Sequence, residues 1–466
     1  MINRRIVLNF LFVMLVLGLT LYSYEGYHSN TTYPESHSIG QSDKVLVVAP
    51  HPDDETISSA GVIRYCIEHN IPVEVLVVTN GGDSKSIGNQ RHSETLTAMG
   101  KLGLKSDKII FLDYPEGLRF LFNQNWDYKN LYEESDGTSH SRNSFSYDLN
   151  APYCGENLVN ELEQVIGDFK PTIIIYPDPN DKNTDHWATS AFINYATTQM
   201  NYKCIKYGYL AHAYSLWPYP RGYNPNSYLT PSPELSNEAS WITFPLNRYD
   251  EALEFLAIKS YKSQITPDSS YLISFVKRNE LFSVYPDLNI SVQNRSTNFL
   301  KGSVFPPTLF NDPENDLMVN DIFNDPENEL MANDIRYLND LNLNNTDSLD
   351  LMAVGFEMDK NTTWISLKTR NGISNNIFYD FHLRTFASNG TNRIDIQIMN
   401  GRANYQMISQ NSVKSNLKIK TIVKHNGIII GIPSSMINSN QFMINADVSN
   451  KQGIVDTTAW RTVDIT

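Results

Sequence analysis

Two rhythms of apolar and polar residues divide the chain. From Ser42 to about residue 200, short unbroken apolar runs alternate with longer segments of helical spacing. Strands are predicted at 44–49, 73–79, 108–112 and 172–176, and helices at 57–69, 90–102, 156–169 and from Asp185-His186 to about 199. A run such as Val45-Leu46-Val47-Val48 shows no alternation, as expected of a strand covered on both faces. Strand–helix repetition at this spacing predicts an α/β fold, a Rossmann-like, mostly parallel sheet with helices on both faces. Residues 119–154, rich in aromatic, Ser and Asn residues, interrupt the rhythm and read as an insertion near the site rather than core.

Beyond about residue 290 the period changes to two. Segments such as TWISLKT, IFYDFHLRTF, RIDIQIM, NLKIKTIV and FMINADV alternate over strand lengths, and Asn389-Gly390 and Asn426-Gly427 between them are hairpin signals. A C-terminal all-β, sandwich-like domain of seven or so strands is expected, with Trp364, Tyr379 and Trp460 as core rather than a sugar platform. Residues 311–335 hold a tandem copy, NDPENDLMVNDI and NDPENELMANDI flanking Phe323, read as a duplication in an acidic linker. A calcium-binding loop is the sharper alternative, although the spacing fits no EF-hand. The expected division is an anchor and stalk at 1–41, an α/β domain at 42–290, the linker at 291–347 and the β-domain at 348–466.

Arg4 and Arg5 precede a mostly apolar stretch, residues 6–24. At helical rise it spans roughly 28 Å, close to one hydrocarbon core. No A-x-A-like cleavage site follows, so an uncleaved membrane anchor is favoured over a signal peptide. The preceding positive charges place the N-terminus inside and the body outside the cytoplasm, with secretion if the segment is cleaved. A formal charge of −14 argues against a nucleic-acid partner. Cys66, Cys154 and Cys204 allow at most one disulfide and read as small buried hydrophobes. From about residue 290 onward, Asn289, Asn294, Asn344, Asn361 and Asn389 each begin an N-x-S/T sequon, which matters only if the cell glycosylates exported protein.

The chemistry is concentrated after the first strand. His51, Asp53, Asp54 and Glu55 follow one another around Pro52. An imidazole and a carboxylate three residues apart suit zinc, and an adjacent carboxylate is left over for proton transfer. A solvated acidic loop is the bland alternative, but the cluster sits at the carboxyl end of a strand, where open α/β sheets place their sites. His186 follows a strand expected to run parallel to the first, which brings it to the same edge. His51, Asp54 and His186 then supply three protein ligands and leave a position for water. Asp185 is expected near the N-cap of its own helix.

HPDDE with Ala60-Gly61, Arg91-x-x-Glu94 with Ala98 and Leu102-Gly103, Leu112-Asp113 with Gly117, and NDKNTDHWA at 180–188 occur in this order. YLAHAYSLWPYP at 209–220, YKSQ at 261–264 and residues 275–282 follow. Over about 43–290 the chain thus resembles the LmbE-like / PIG-L family of zinc-dependent N-acetylglucosaminyl de-N-acetylases. The resemblance implies a Zn2+-dependent hydrolase that removes the N-acetyl group from an N-acetylglucosamine-type sugar or glycoconjugate outside the cytoplasm. Asp53 is the expected general base, and Arg91 or His212 is expected to stabilise the oxyanion. Glu55, Asn183 and Asp185 complete the expected site. Where relatives commonly have H-x-D-H, this chain has Asn183-Thr184-Asp185-His186, and His212 is the nearest candidate for the missing imidazole. Two rivals stand beside this reading: a noncatalytic, metal-containing cell-surface glycan-binding protein, and a structural surface-layer component.

Overall fold

The computed structural model describes residues 13–16, 33–35, 39–82, 84–213, 217–235, 237, 239–265, 270–294, 297, 299, 304–313, 349–387, 390–409, 412–414, 419–450 and 454–466. The apolar stretch at 6–24 lies outside these residues except for 13–16. No helix among the described residues is long and apolar enough to cross a membrane. The tandem copy lies outside them beyond residue 313.

The first half is built on β1 (Val45–Ala49), β2 (Val73–Thr79), β3 (Ile109–Tyr114), β4 (Ile173–Pro177) and β5 (Ile205–Tyr209). These lie in the order β3-β2-β1-β4-β5, all parallel. Two further strands, β6 (Ser240–Pro245) and β7 (Asn279–Val284), extend the β5 edge with antiparallel pairing. All five residues of β1 are fully buried, but on two sides. Val45, Val47 and Ala49 enter one core, while Leu46 and Val48 enter the other. This double burial is why the strand carries no polar alternation.

Every strand and helix expected in this half is present, with ends that local chemistry moves. α1 (Asp54–Glu68) begins three residues early, so that the acidic motif forms its first turn, where carboxylates favour the N-terminal dipole. α2 (Lys85–Leu102) starts at a Ser84 cap whose hydroxyl accepts from Ile87 N. Residues 119–154 correct the expectation of an insertion outside the core. The short helix α3 (Leu118–Asn123) buries Leu118, Leu121 and Phe122 completely, and Tyr153 joins them. The remaining helices are α4 (Gly155–Phe169), α5 (Thr184–Gln199) and α6 (Arg248–Ile258).

The second half is a pair of stacked antiparallel sheets. One has five strands, from β9 (Thr308–Asn311), β10 (Leu351–Met358), β11 (Thr362–Thr369), β16 (Lys420–Lys424) and β17 (Gly427–Pro433). The other has eight: β8 (Leu288–Ile290), β12 (Phe378–Ala387), β13 (Gly390–Met399), β14 (Arg402–Ser409), β15 (Ser412–Lys414), β18 (Gln441–Ser449), β19 (Ile454–Thr457) and β20 (Arg461–Ile465). Only β8 against β20 is parallel in this sheet. Val354, Ile365 and Ile430 meet Phe381, Ile396 and Ile444 in one core between the layers. The strands exceed the seven or so expected, because short edge strands carry too little pattern to be seen. Each glycine of the two hairpin signals opens a strand instead of completing the turn: Gly390 pairs with Ala387, and Gly427 with Lys424.

The outer face of the eight-stranded sheet packs on the first half. Trp460 and Met443 enter the same core as Phe122, Trp187 and Phe192. Trp187 Nε1 donates to Thr458 O (3.1 Å), and Arg393 Nη2 donates to Phe122 O (3.0 Å). Trp364, Tyr379 and Trp460 are all buried, as expected. The three cysteines are free, Cys66 and Cys154 buried and Cys204 half-buried.

Candidate metal centre

In the strand order the direction of winding changes between β1 and β4, and there loops from the two carboxyl ends diverge and leave a crevice. The first loop carries the motif. Asp53 stands before α1 with φ 133°, a backbone setting costly for a residue with a Cβ. It is held by its neighbours: Asp53 N donates to Glu55 Oε2 (3.0 Å), and Asp53 O accepts from Thr56 N (2.9 Å) and Ile57 N (3.1 Å). Glu55, fully buried, also accepts from the Tyr261 hydroxyl. Burial pushes the Glu55 carboxyl up to about 7 against that bond.

Arg91 arrives from α2, almost wholly buried. Nη1 donates to Gly81 O (2.7 Å), and Nη2 to Pro52 O (2.8 Å) and Asp53 Oδ2 (3.1 Å). Gly81, at φ +72°, permits this approach, since a Cβ there would lie 2.7 Å from the guanidinium. Arg91 therefore orients Asp53 through Nη2, while its buried Nε has no partner among the described residues. Burial, opposed by Arg91, pushes the Asp53 carboxyl up to about 8.

Asp54 Oδ2 is the meeting point. It lies 3.2 Å from His51 Nδ1 and 3.0 Å from His186 Nε2, and accepts from His51 N (2.9 Å). The far nitrogen of each imidazole faces another carboxylate: His51 Nε2 is 3.3 Å from Asp185 Oδ2, and His186 Nδ1 is 3.4 Å from Asp181 Oδ2. Asp185 does not cap its own helix. Asn183 does, its Oδ1 accepting from Asp185 N (2.8 Å). The Asp185 carboxylate instead accepts from Gly117 N (3.0 Å) and Leu118 N (2.8 Å) at the start of α3, which fixes it behind His51.

Asp181 was not singled out from the sequence, and it organises the second loop. It accepts from Asn183 N, Ala211 N and His212 N, and its Oδ1 lies 3.3 Å from His212 Nδ1. His212, 27% exposed at its side chain, stands edge-on to His186 with ring centroids 4.6 Å apart and lies flat beside Tyr271. The sequence signal for Asp181 was its place in the NDKNTDHWA segment, five residues before His186.

The donor set fits a divalent metal. One ligand atom each from His51, Asp54 and His186 lies within 4.8 Å of the others, and the same holds for Asp181, His186 and His212. Both nitrogens of the buried His186 lack a well-formed hydrogen bond among the described residues. Burial opposes charge on His186, yet Asp54 and Asp181 outweigh it and raise its pKa to about 9. His51 is raised well above its usual range by Asp185 and Asp54, again against burial. Three carboxylates around two imidazoles thus call for positive charge at this point. Imidazoles backed by carboxylates, facing one shared oxygen, are the form of a metal-ligand set with its outer supports. The first set, His51, Asp54 and His186, is the one supported on both imidazoles.

Fold and site together define an α/β protein with a candidate His/Asp/His metal centre at the carboxyl edge of its parallel sheet. Residues 46–197 match the model of the family described as PIG-L: GlcNAc-PI de-N-acetylase. No curated protein matches the chain. Among solved structures, the zinc-inhibited form of teicoplanin deacetylase Orf2 is 15% identical, covering 52% of this chain and 97% of its own, with TM-score 0.34. The conserved protein TT1542 from Thermus thermophilus is 18% identical, covering 48% and 80%, with TM-score 0.32. N,N'-diacetylchitobiose deacetylase from Pyrococcus horikoshii is 19% identical, covering 48% and 72%, with TM-score 0.29. At such TM-scores these likenesses carry no argument about this chain.

Proposed function

We propose that this protein is a zinc-dependent N-deacetylase acting on an N-acetylated amino sugar or glycoconjugate, with its body outside the cytoplasm. The family match supports de-N-acetylation as the reaction class. The carrying observation is Asp53, a buried carboxylate clamped by Arg91 beside the His51, Asp54 and His186 set without entering it. The location rests on the sequence of residues 4–24 alone.

When bound, zinc supplies Lewis acidity toward the amide carbonyl. Asp53 takes the proton of the attacking water and returns it to the departing amine nitrogen. Arg91 and the Glu55 carboxylate fix Asp53 through its side chain and its backbone N–H. His212, the most exposed of the imidazoles here and oriented by Asp181, takes the place of the family's usual histidine at position 183 as donor to the developing oxyanion. Asn183 is committed to capping α5.

The test is acetate release by the purified, zinc-loaded protein from a panel of N-acetylated glycans. Release from at least one N-acetylglucosamine-type substrate is expected. A zinc-loaded protein that binds such glycans and releases no acetate would instead make it a glycan-binding protein.

A further inference from the structure

A cleft of about 470 Å³ lies in the seam between the two halves, away from the metal-site residues. Its walls are α5 (Asn194, Thr197), β5 (Lys206), the segment after β7 (Tyr285) and the start of β20 (Trp460, Arg461). The size is within the range of small-molecule sites. What distinguishes the lining is an excess of donors. Lys206 Nζ donates to Asn194 Oδ1 (2.9 Å) and Thr197 Oγ1 (2.7 Å), both neutral. An ammonium has three N–H groups, so one is left over. Trp460 closes the inner wall, 2% exposed, with the Arg384 guanidinium over its ring. Arg461 lies over the Tyr285 ring at 4.8 Å and adds a second cation. Of the two carboxylates on the lining, Asp287 is exposed and Asp464 accepts from Gln441 Nε2.

We propose that this cleft binds a small organic oxyanion of about monosaccharide size, whose carboxylate or phosphate accepts from Lys206 while its body rests against Tyr285. The surroundings of Lys206 favour such a guest. Burial, joined by Lys203 and opposed by Cys204 and Asp287, pulls the ammonium down to about 8, a desolvation cost that an incoming anion offsets. The cleft also touches the back of the metal site. Tyr285 Oη donates to Asp178 (3.0 Å), and Asp178 O accepts from Asp181 N (3.0 Å), so an occupant packs against the residue that anchors the second site loop.

Calorimetric titration of the full chain with glucuronate, glucose 6-phosphate and glucose tests the proposal. Saturable binding of at least one anion, and none of glucose, is expected. Lys206→Met should weaken it about 10- to 100-fold, the worth of a hydrogen bond to a charged group. On the unaltered protein, the bound anion should protect Lys206 from acetic anhydride, read by peptide mass spectrometry, which keeps the test decisive if the variant misfolds. Binding of neither anion, equal binding of glucose, or absence of protection overturns the proposal. Binding is scored without turnover, so failure of the deacetylase reading leaves the isotherm standing, and the reverse also holds.

Discussion

His51, on the loop after β1, and His382, in the middle of β12, each lie between two carboxylates, and the distances separate their purposes. His382 Nδ1 is 2.6 Å from Asp395 Oδ1 and its Nε2 is 2.8 Å from Asp447 Oδ2, while Arg384 Nη1 donates to the same Asp395 oxygen at 2.9 Å. Those are closed, charge-assisted hydrogen bonds that leave neither ring nitrogen of His382 for a guest. Around His51 the corresponding separations are 3.2 and 3.3 Å, and the second imidazole beside it, His186, has no well-formed hydrogen bond among the described residues. One constellation is satisfied by its own hydrogen bonds, and the other presents a donor set that fits a metal ion. Residue types alone would not tell them apart. Loops at a sheet edge can converge on an ion, whereas side chains on a flat sheet face pair with their cross-strand neighbours.

Metal content is where this contrast breaks most sharply. Elemental analysis of the purified protein should show near-stoichiometric zinc, lost in His186→Ala and retained in His382→Gln. Asp181→Asn, which removes the charge behind both His186 and His212, should cost about 10- to 100-fold in metal affinity. Full occupancy in His186→Ala would dissolve the proposed centre. Equal loss in His382→Gln would mean that the two clusters are not distinct in kind.

Within the first cluster, Asp53→Asn should lower kcat by about 10²–10⁴ at unchanged zinc content and thermal midpoint, because it preserves shape and removes the basic oxygen. A variant with wild-type turnover would shift the proton transfer to Glu55 or His212.

Sequence made one side of this comparison readable and left the other dark. β1 and the motif behind it are contiguous, and the parallel pairing of β1 with β4 follows from the strand–helix rhythm, so His51, Asp54 and His186 could be placed together. Asp181 could not, because its role depends on the chain returning at Ala211 and His212. Nor could Glu280, whose carboxylate accepts from Gly61 N and Val62 N where α1 departs from helical geometry at Ser59. The seam was equally hidden. Period-two alternation in β12 shows that one face is apolar, but the other face, with His382 and Arg384, is covered by α3 and α5, and no local pattern encodes that neighbour.

The second cluster gives a stability prediction with a definite pH sign. Burial opposes charge on His382, but Asp447 and Asp395 outweigh it and raise its pKa to about 10. A folded-state pKa above the unfolded value of about 6.5 means the contribution is fully present below that value and lost as pH rises through about 10. His382→Gln should therefore cost about 1–3 kcal/mol near pH 6, reduced from a fully buried pair because the histidine side chain is 19% exposed. The gap between wild type and variant in chemical denaturation should close toward pH 10. A gap that widens with pH would mean the imidazole is neutral in the folded state.

The smallest expected effect decides what stands at position 183. If Asn183 serves only as the cap of α5, as its bond to Asp185 N indicates, Asn183→Ala costs about 0.5–2 kcal/mol of stability and Asn183→Ser almost none. Neither should change kcat by more than a few-fold, because Asp185 keeps Gly117 N and Leu118 N and so keeps its place behind His51. His212→Gln, by contrast, should lower kcat more than it lowers stability, since His212 is part-exposed and its loss leaves Asp181 still bonded to three backbone N–H groups. Comparing kcat and denaturation midpoint across the three variants separates the roles. If Asn183→Ser matches His212→Gln in lost turnover at full stability, the amide itself contacts the substrate and the histidine at 183 has a direct successor. If only His212→Gln loses turnover, the imidazole has moved from the start of α5 to the loop after β5.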